Sequence, residues 1–298
     1  MDPLYGNDIT ERNYVGVSCD CLAHRYGNAA DGPTRAPRYP TDLTDARWQL
    51  LRPLLPIPAW MQGRGGRPES YCHRVILDAV FYHLDNGGKW RALPADFPHW
   101  RQVCKFFERA NAQGLIEILA DRLRRADRVA GGRQPEPTAA VIDSQSLRAA
   151  ETVGRDQRGY DAGKHVQGVK RHLAVDTCGN LLQVLRTAAD VQDRDGAKLL
   201  LRALHERFPT ITLVYADSAY GGELIEWAAA GLGITIEIKK RPAAAVGFVV
   251  IARRWVVERS LSWISRKRRC VREYERLAAT HAAFALLASI LTLTRRLA

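Results

Sequence analysis

The fold of this chain is decided at residues 165–189, which read HVQGVKRHLAVDTCGNLLQVLRTAA. Two apolar runs flank Cys178-Gly179-Asn180, a pattern that predicts two strands joined by a hairpin turn. Just before them, TAAVIDSQSL at 138–147 is typical of a buried strand. Beyond them the pattern predicts helices at 192–208 and 222–232, which alternate with strands at 212–220 and 234–240. A long basic helix is predicted from about residue 252. This order indicates an α/β fold with a mixed sheet flanked by helices.

Upstream of the α/β region, residues 41–130 predict a small all-helical domain. TDLTDARWQLLRPLLP at 41–56 offers Thr44 as an N-cap, followed by apolar residues at helical spacing. Three more helices are predicted after it, at 74–84, 100–110 and 114–125. Short helices with basic residues at their joints suit a DNA-binding module. A helical dimerisation or packing domain would give the same pattern.

Two further segments lack any helical or strand period. GGRQPEPT at 131–138 indicates a linker, and residues 1–40 indicate a flexible leader. Inside the leader, Cys19-x-Cys21-x-x-His24 presents three possible metal ligands, but no fourth follows at zinc-finger spacing. We interpret this pattern as a chance spacing.

The charge of the chain is strongly positive and unevenly placed. The formal net charge is +12, and residues 239–276 hold 12 Lys and Arg against 3 Asp and Glu. A block this one-sided predicts a polyanionic partner, with DNA favoured over an anionic membrane surface. The sequence shows no secretory signal and no apolar run of membrane-spanning length, and its six cysteines are scattered. We therefore expect a cytoplasmic protein with no membrane partner.

Three carboxylates occupy positions typical of a catalytic site. Asp143 and Asp217 each follow a run of four residues suited to a buried strand, so both are predicted at strand ends. Such ends are where α/β sheets place ligands, and Mg²⁺ or Mn²⁺ can hold two acids together. Glu258 lies in an Arg-rich helix on the same face as Arg254. Taken singly, each acid has an ordinary alternative, either a turn-forming Asp or an exposed ion pair.

The sequence around these acids resembles the bacterial insertion-sequence DDE transposases of the family named after insertion sequence five, often grouped with that of insertion sequence four. YADSAY carries Asp217, RRWVVERSLSWISRKRR carries Glu258, and residues 164–197 are similar to the family's second and third strands and following helix. The helical segment is similar to the domain that these proteins carry in front. The resemblance covers about residues 41–298.

This resemblance implies an RNase H-like catalytic fold. Asp143, Asp217 and Glu258 would bind two Mg²⁺ ions, for which Mn²⁺ can substitute. Water would cut a phosphodiester bond, and the freed 3′-OH would then attack a second duplex, with no His, Ser or Cys nucleophile required.

The resemblance also identifies candidate DNA contacts. Around the glutamate, Arg254 fits the family pattern, whereas Ile251 and Ser265 stand where the family has Tyr and Lys. Which residue contacts the terminal phosphate therefore stays open. The basic residues expected to face DNA are Lys164, Lys170, Arg171, Arg254, Arg259, Arg266 and Lys267, with Arg64 and Arg67 in a Gly/Arg loop. Lys164, Lys170 and Arg171 have the alternative of being solvated strand residues.

The function implied by the resemblance is transposition. The expected partners are the terminal inverted repeats of an insertion sequence and a target duplex, bound by a homodimer at the nucleoid, with no small-molecule substrate. Two alternatives stay open: an inactive DNA-binding protein derived from such a transposase, and a metal-dependent nuclease that cuts without joining strands.

Overall fold

The computed structural model describes residues 19, 21–26, 36–68, 70–239 and 253–298. The chain divides into two compact units. The first runs up to His83 and includes Gly88–Arg109 and Ala298, and the second comprises Leu84–Gly87 and Ala110–Leu297. The division therefore falls near residue 110 rather than at the predicted linker, 131–138.

The first unit is helical, as its sequence periodicity predicts. The helices that lie wholly or mainly in it are α1 (Leu22–Tyr26), α2 (Asp45–Leu51), α3 (His73–Asn86) and α4 (Trp100–Ala112). Thr44 is the N-cap of α2, and its side chain accepts a hydrogen bond from the backbone N–H of Arg47. Asp78 on α3 accepts the N–H of Leu43 at 2.8 Å, which ties the segment before α2 to the core.

Part of the predicted flexible leader is ordered in this unit. Cys21 and Ala23 are buried, and α1 begins directly after Cys21. Cys19, Cys21 and His24 gather with Cys72, at the start of α3. The fourth candidate ligand, absent at zinc-finger spacing, is thus offered by a distant part of the chain.

The second unit contains the predicted α/β region and one more helix. The helix α5 (Leu115–Ala130), predicted as part of the helical domain, belongs to this unit. The strands are β1 (Ala139–Arg148), β2 (Gly159–Asp161), β3 (Val166–Asp176), β4 (Leu181–Ala188), β5 (Leu213–Ala216) and β6 (Thr235–Ile238). The remaining helices are α6 (Asp193–Arg207), α7 (Glu223–Leu232), α8 (Trp255–Ser265), α9 (Arg268–Val271) and α10 (Ala278–Leu297).

The sheet is mixed, as the order of elements predicts. Within the described residues its strands follow the order β2-β3-β1-β5-β6, and β4 also pairs with β3. β3 pairs antiparallel with both β1 and β4. β5 pairs parallel with β1, and β6 pairs parallel with β5. The predicted hairpin joins β3 to β4: Gly179 has a φ of +90°, and Asp176 accepts the N–H groups of Cys178 and Asn180.

Helices cover both faces of this sheet. Ala140 and Ile142 of β1 join the apolar cluster formed with α6 and α7, including Leu200 and Leu204. α8 packs against β1 and β3, and α10 packs against β4. Because neighbouring strand residues point to opposite faces, Asp143 faces α8 while Ile142 faces α6.

The helix α10 fills the core of the second unit. Among the described residues it is the one helix long and apolar enough to cross a membrane, yet 61% of its apolar window is buried inside the protein. It packs against α5, and Arg296 near its end pairs with Asp127 of α5 at 3.4 Å. These contacts are those of a core helix, as the apolar stretch Ala282–Leu293 predicts.

Two local predictions are corrected by the structure. The long basic helix expected from residue 252 is interrupted, because α8 ends at Ser265 and a turn separates it from α9. Residue 252 itself lies outside the described residues. The expected cap of α6 by Asp193 or Asp195 is also absent: the N-cap is Gln192, with no side-chain cap hydrogen bond.

Candidate active site

Three different elements carry the three acids. Asp143 does not end its strand as expected, since β1 continues to Arg148 by antiparallel pairing with β3. The parallel pairing of β1 with β5, however, ends at Val141 opposite Tyr215. Asp143 therefore lies just past the point where β5 leaves β1, and Asp217 follows the last residue of β5. Glu258 lies in the first turn of α8, which packs on β1.

Arg254 connects two of these acids. Its Nη2 lies 3.6 Å from Oδ2 of Asp217 and 3.3 Å from Oε1 of Glu258. The pair with Glu258 is the i,i+4 pair that the helical spacing predicts, and the pair with Asp217 joins α8 to the end of β5. The side chains stay partly open to solvent, at 27% for Arg254, 25% for Asp217 and 47% for Glu258. A solute can therefore reach the carboxylates.

The pKa of the third acid, Asp143, depends on its burial and on the charges of the other two acids. The pKa of Asp143 is raised to about 6: burial is the largest cause, and the negative charges of Asp217 and Glu258 add to it, against the opposing effects of the Ser144 N–H and Arg254. The backbone N–H of Ser144 donates to Oδ1 of Asp143 at 2.8 Å. A carboxylate held near protonation beside two other acids is an arrangement that a bound cation would relieve.

The donor set fits a hard divalent cation. Three carboxylates face one guanidinium, so the fully ionised group carries an excess of negative charge. Carboxylate oxygens are the ligands that Mg²⁺ and Mn²⁺ prefer, and partial exposure leaves room for water or a phosphate oxygen. Asp143, Asp217 and Glu258 could hold such ions.

Behind Asp143, on the other face of β1, lies a polar cluster that the sequence reasoning missed. The Ser144 hydroxyl donates to Asp193 at 2.8 Å, and Lys170 pairs with the same carboxylate at 3.0 Å. Lys170 also donates to the carbonyl of Val191 at 2.7 Å. These bonds attach β1 and β3 to the start of α6 and fix the strand that carries Asp143. The signal in the sequence is Asp193 at the start of α6, which binds Ser144 and Lys170 and does not cap the helix.

Gln145 is a second residue that the sequence reasoning missed. Strand alternation places Gln145 on the same face as Asp143, and its Nε2 donates to the hydroxyl of Ser265 at 3.2 Å. Ser265 is the position where the resembled family has Lys. In this chain it links the end of α8 to β1.

Three basic residues predicted to face DNA are buried. Lys170, Arg171 and Lys267 are 6%, 1% and 5% exposed. Arg171 donates to His281 at 3.0 Å and to the carbonyl of Cys270 at 2.9 Å, and Lys267 pairs with Asp85 at 2.6 Å. Their cationic groups have internal partners, which disfavours the predicted contacts with phosphates at the surface.

The other predicted DNA contacts differ in their surroundings. The guanidinium of Arg259 lies over the rings of Trp255 and Trp263, at 4.4 and 4.5 Å, and donates to the carbonyl of Cys178. Lys164 and Arg266 are exposed in the second unit. Exposed residues of the first unit include Arg64 and Arg67. Ile251 lies outside the described residues.

The fold and its acids define a class: an RNase H-like enzyme that acts on nucleic acid. A family model described as "Transposase DDE domain" matches residues 134–293, more than half of the chain. The chain belongs to this family of DDE transposases. A second model, "Putative transposase of IS4/5 family", matches residues 43–120. These matches confirm the family, the fold class and the enzyme class that the sequence resemblance implies.

Curated relatives agree with this assignment. Over 122 residues the chain is 30% identical to the "Insertion element IS402 uncharacterized 16.2 kDa protein" of Burkholderia cepacia, covering 39% of this chain and 77% of the relative. It is 33% identical over 128 residues to the "Putative transposase for insertion sequence element IS402" of the same species, and this match covers 39% of this chain and 58% of that relative. A Sinorhizobium fredii protein, y4sN, is 31% identical over 86 residues, which make up 28% of this chain and 66% of that relative. The chain thus spans less than two thirds of the length of the IS402 putative transposase and of y4sN.

One solved structure is also similar. The "Crystal structure of the Mos1 mariner paired end complex with Mn" has 11% sequence identity and a TM-score of 0.28, covering 93% of this chain and 88% of that one. A likeness this weak carries no argument about this chain.

Proposed function

We propose that this transposase binds the terminal inverted repeats of its insertion sequence, cleaves the DNA strand there and joins the freed 3′-OH to a target duplex. Asp143, Asp217 and Glu258 are the proposed catalytic residues and the ligands of two Mg²⁺ ions, which Mn²⁺ can replace. The observation that supports this proposal is the grouping of three acids from β1, β5 and α8 around one arginine.

The proposed roles follow from the charges of the site. When bound, the two cations would act as Lewis acids for in-line displacement at phosphorus. Burial and the acidic neighbours raise the pKa of Asp143 to about 6, and bound cations would favour its ionised form. Arg254 neutralises part of the charge on Asp217 and Glu258, and can exchange these partners for a DNA phosphate.

The proposed DNA contacts are the exposed cations. Lys164, Arg266, Arg64 and Arg67 would bind phosphates and supply affinity that does not depend on sequence. Two ends must be processed together, so the proposed assembly is a homodimer on DNA. The proposed location is the cytoplasm, at the nucleoid.

The test is cleavage and joining of duplexes that carry the ends of the insertion sequence, with Mg²⁺ or Mn²⁺. Wild type is compared with Asp143→Asn, Asp217→Asn and Glu258→Gln, and with Asp195→Asn as a control acid exposed on α6. We expect wild type and the control to release a 3′-OH and to form joined products. Each of the other three variants should lose at least about 10³-fold in rate while still binding the ends, as expected for loss of a transition-state contact.

Two results would contradict the proposal in different ways. If wild type binds the ends but cuts with neither metal, the chain is an inactive DNA-binding protein. If it cuts and never joins strands, it is a nuclease.

A further inference from the structure

A second cluster of metal-ligating side chains lies in the first unit, whereas the three acids belong to the second. The ligand atoms of Cys19, Cys21, His24 and Cys72 all lie within 4.8 Å of one another. Cys21 and Cys72 are buried, and Cys19 and His24 are half-buried. None of the four belongs to the proposed catalytic chemistry.

The spacing of these atoms matches a tetrahedral metal site. Sγ of Cys21 lies 3.8 Å from Sγ of Cys72, which lies 3.5 Å from Sγ of Cys19. Sγ of Cys21 lies 3.3 Å from Nδ1 of His24. Zinc bonds of about 2.3 Å to sulfur and about 2.0 Å to nitrogen give tetrahedral edges of roughly 3.8 Å and 3.5 Å. The four atoms are thus separated as if around one ion.

Backbone hydrogen bonds help to position three of these four residues, Cys21, His24 and Cys72. The N–H groups of His24 and Arg25 both donate to the carbonyl of Cys21 at 3.0 Å, so one helical turn brings His24 beside Cys21. Cys72 precedes α3, and its carbonyl accepts the N–H of Ile76 at 3.1 Å, the first hydrogen bond of that helix.

The composition of the cluster favours a bound metal over a disulfide. Two of these thiols could close a disulfide, but the cysteines that the structure describes form none, and one disulfide would account for neither the third thiol nor His24. Three thiolates crowded within a few ångströms repel one another unless a cation neutralises them. A closed set of sulfur and nitrogen ligands is typical of structural zinc, whereas Mg²⁺ prefers the oxygens of the acids.

We propose that Cys19, Cys21, His24 and Cys72 bind one structural Zn²⁺ ion. The ion fastens residues 19–26 to the start of α3, within the helical unit. Cys72 lies inside the region matched by the IS4/5 family model, residues 43–120, and the other three ligands lie before it. The zinc site thus adds a segment outside the matched region to the helical unit.

The metal content of the full-length protein is the first test. Protein produced with zinc and purified under reducing conditions should hold about one zinc per chain. The double variant Asp143→Asn/Asp217→Asn should hold as much, which separates this site from the acids. After exchange, Co²⁺ should give the visible bands of tetrahedral cobalt and a thiolate-to-cobalt charge-transfer band.

Variants locate the ion. Cys72→Ser and His24→Ala should reduce the zinc content at least about ten-fold, whereas Cys104→Ser, a cysteine of α4 outside the cluster, should leave it unchanged. Because a variant can fail to fold, unmodified protein is also tested: chelation should lower its melting temperature, and zinc, but not Mg²⁺, should restore it.

Three results would overturn the proposal. Wild type could take up no zinc and show no cobalt charge-transfer band. Cys72→Ser could retain the metal. A thiol count on protein purified without reductant could show that two of these cysteines form a disulfide that zinc does not prevent.

Discussion

Arg171 and Arg254 come from basic stretches with the same expected role, and the structure gives them opposite surroundings. Arg171 is 1% exposed and donates to His281 and to a backbone carbonyl. Arg254 is partly exposed, and it forms ion pairs with the carboxylates of Asp217 and Glu258. One cation stabilises the interior, and the other lies where ions and phosphates can compete for its partners. A net charge alone does not distinguish these two kinds of arginine.

The largest effect on stability is expected from Arg171→Ala. Removing this guanidinium leaves His281 and the Cys270 carbonyl with an unmet hydrogen bond in the core, at a cost of about 3–5 kcal/mol in free energy of unfolding. Urea denaturation measures this loss in the free energy of unfolding. Arg254→Ala, which removes a partly exposed ion pair, should cost no more than about 1 kcal/mol. Equal losses in the two variants would contradict the contrast drawn between them.

Asp143→Asn is expected to change stability by less than Arg171→Ala and in the opposite direction, since it should raise the free energy of unfolding. The pKa of Asp143 is raised from 3.8 to about 6, so the fold favours its protonated form. Its contribution to stability is complete below about pH 4 and is lost as the pH rises through about 6. The metal-free Asn variant should therefore exceed wild type in stability by about 1–3 kcal/mol at pH 8, and by much less at pH 4.

Thermal or urea unfolding of chelator-treated protein across this pH range checks the sign. The exposed control Asp195→Asn should show no such pH-dependent gain. A stability difference for Asp143→Asn that is constant from pH 4 to pH 8 would show that Asp143 is not held near protonation.

The smallest effect is expected on DNA affinity. Lys164→Ala and Arg266→Ala remove exposed cations, and each should reduce the slope of log K against log salt concentration by about 0.9. Lys170→Met should leave this slope unchanged, because Lys170 is buried against Asp193. Salt titrations of duplex binding by fluorescence anisotropy measure all three. A reduced slope for Lys170→Met would show that this residue reaches DNA after all.

Much of the fold could be predicted from local patterns. The hairpin at Gly179 follows from turn chemistry, and the strands and helices of the second unit follow in the expected order. On α8, Val257 and Leu261 are buried as the helical period predicts, with Glu258 exposed beside them. The ending of α8 at Ser265 could not be predicted, because the basic residues beyond it are good helix formers.

The candidate site was predictable in its residues and less so in its geometry. An apolar run predicts that Asp143 is near a strand, but only the pairing partners of β1 show that the strand continues past it. The burial of Lys267 depends on Asp85, which is distant in the sequence. Likewise, Cys72 completes a cluster with Cys19 and Cys21 that no spacing rule connects. In each case the missing information is a long-range contact.

The packing of α10 against α5 bears on how the protein is made. These helices are separated by about half of the chain, yet they meet in the core that also covers β4. During synthesis, α5 and β4 leave the ribosome long before α10 does, and their apolar faces have no native cover until then. Contacts this distant also slow folding. A nascent chain can therefore complete the unit that carries Asp143 and Glu258 only after α10 has been translated, so interrupted synthesis yields no folded partial enzyme.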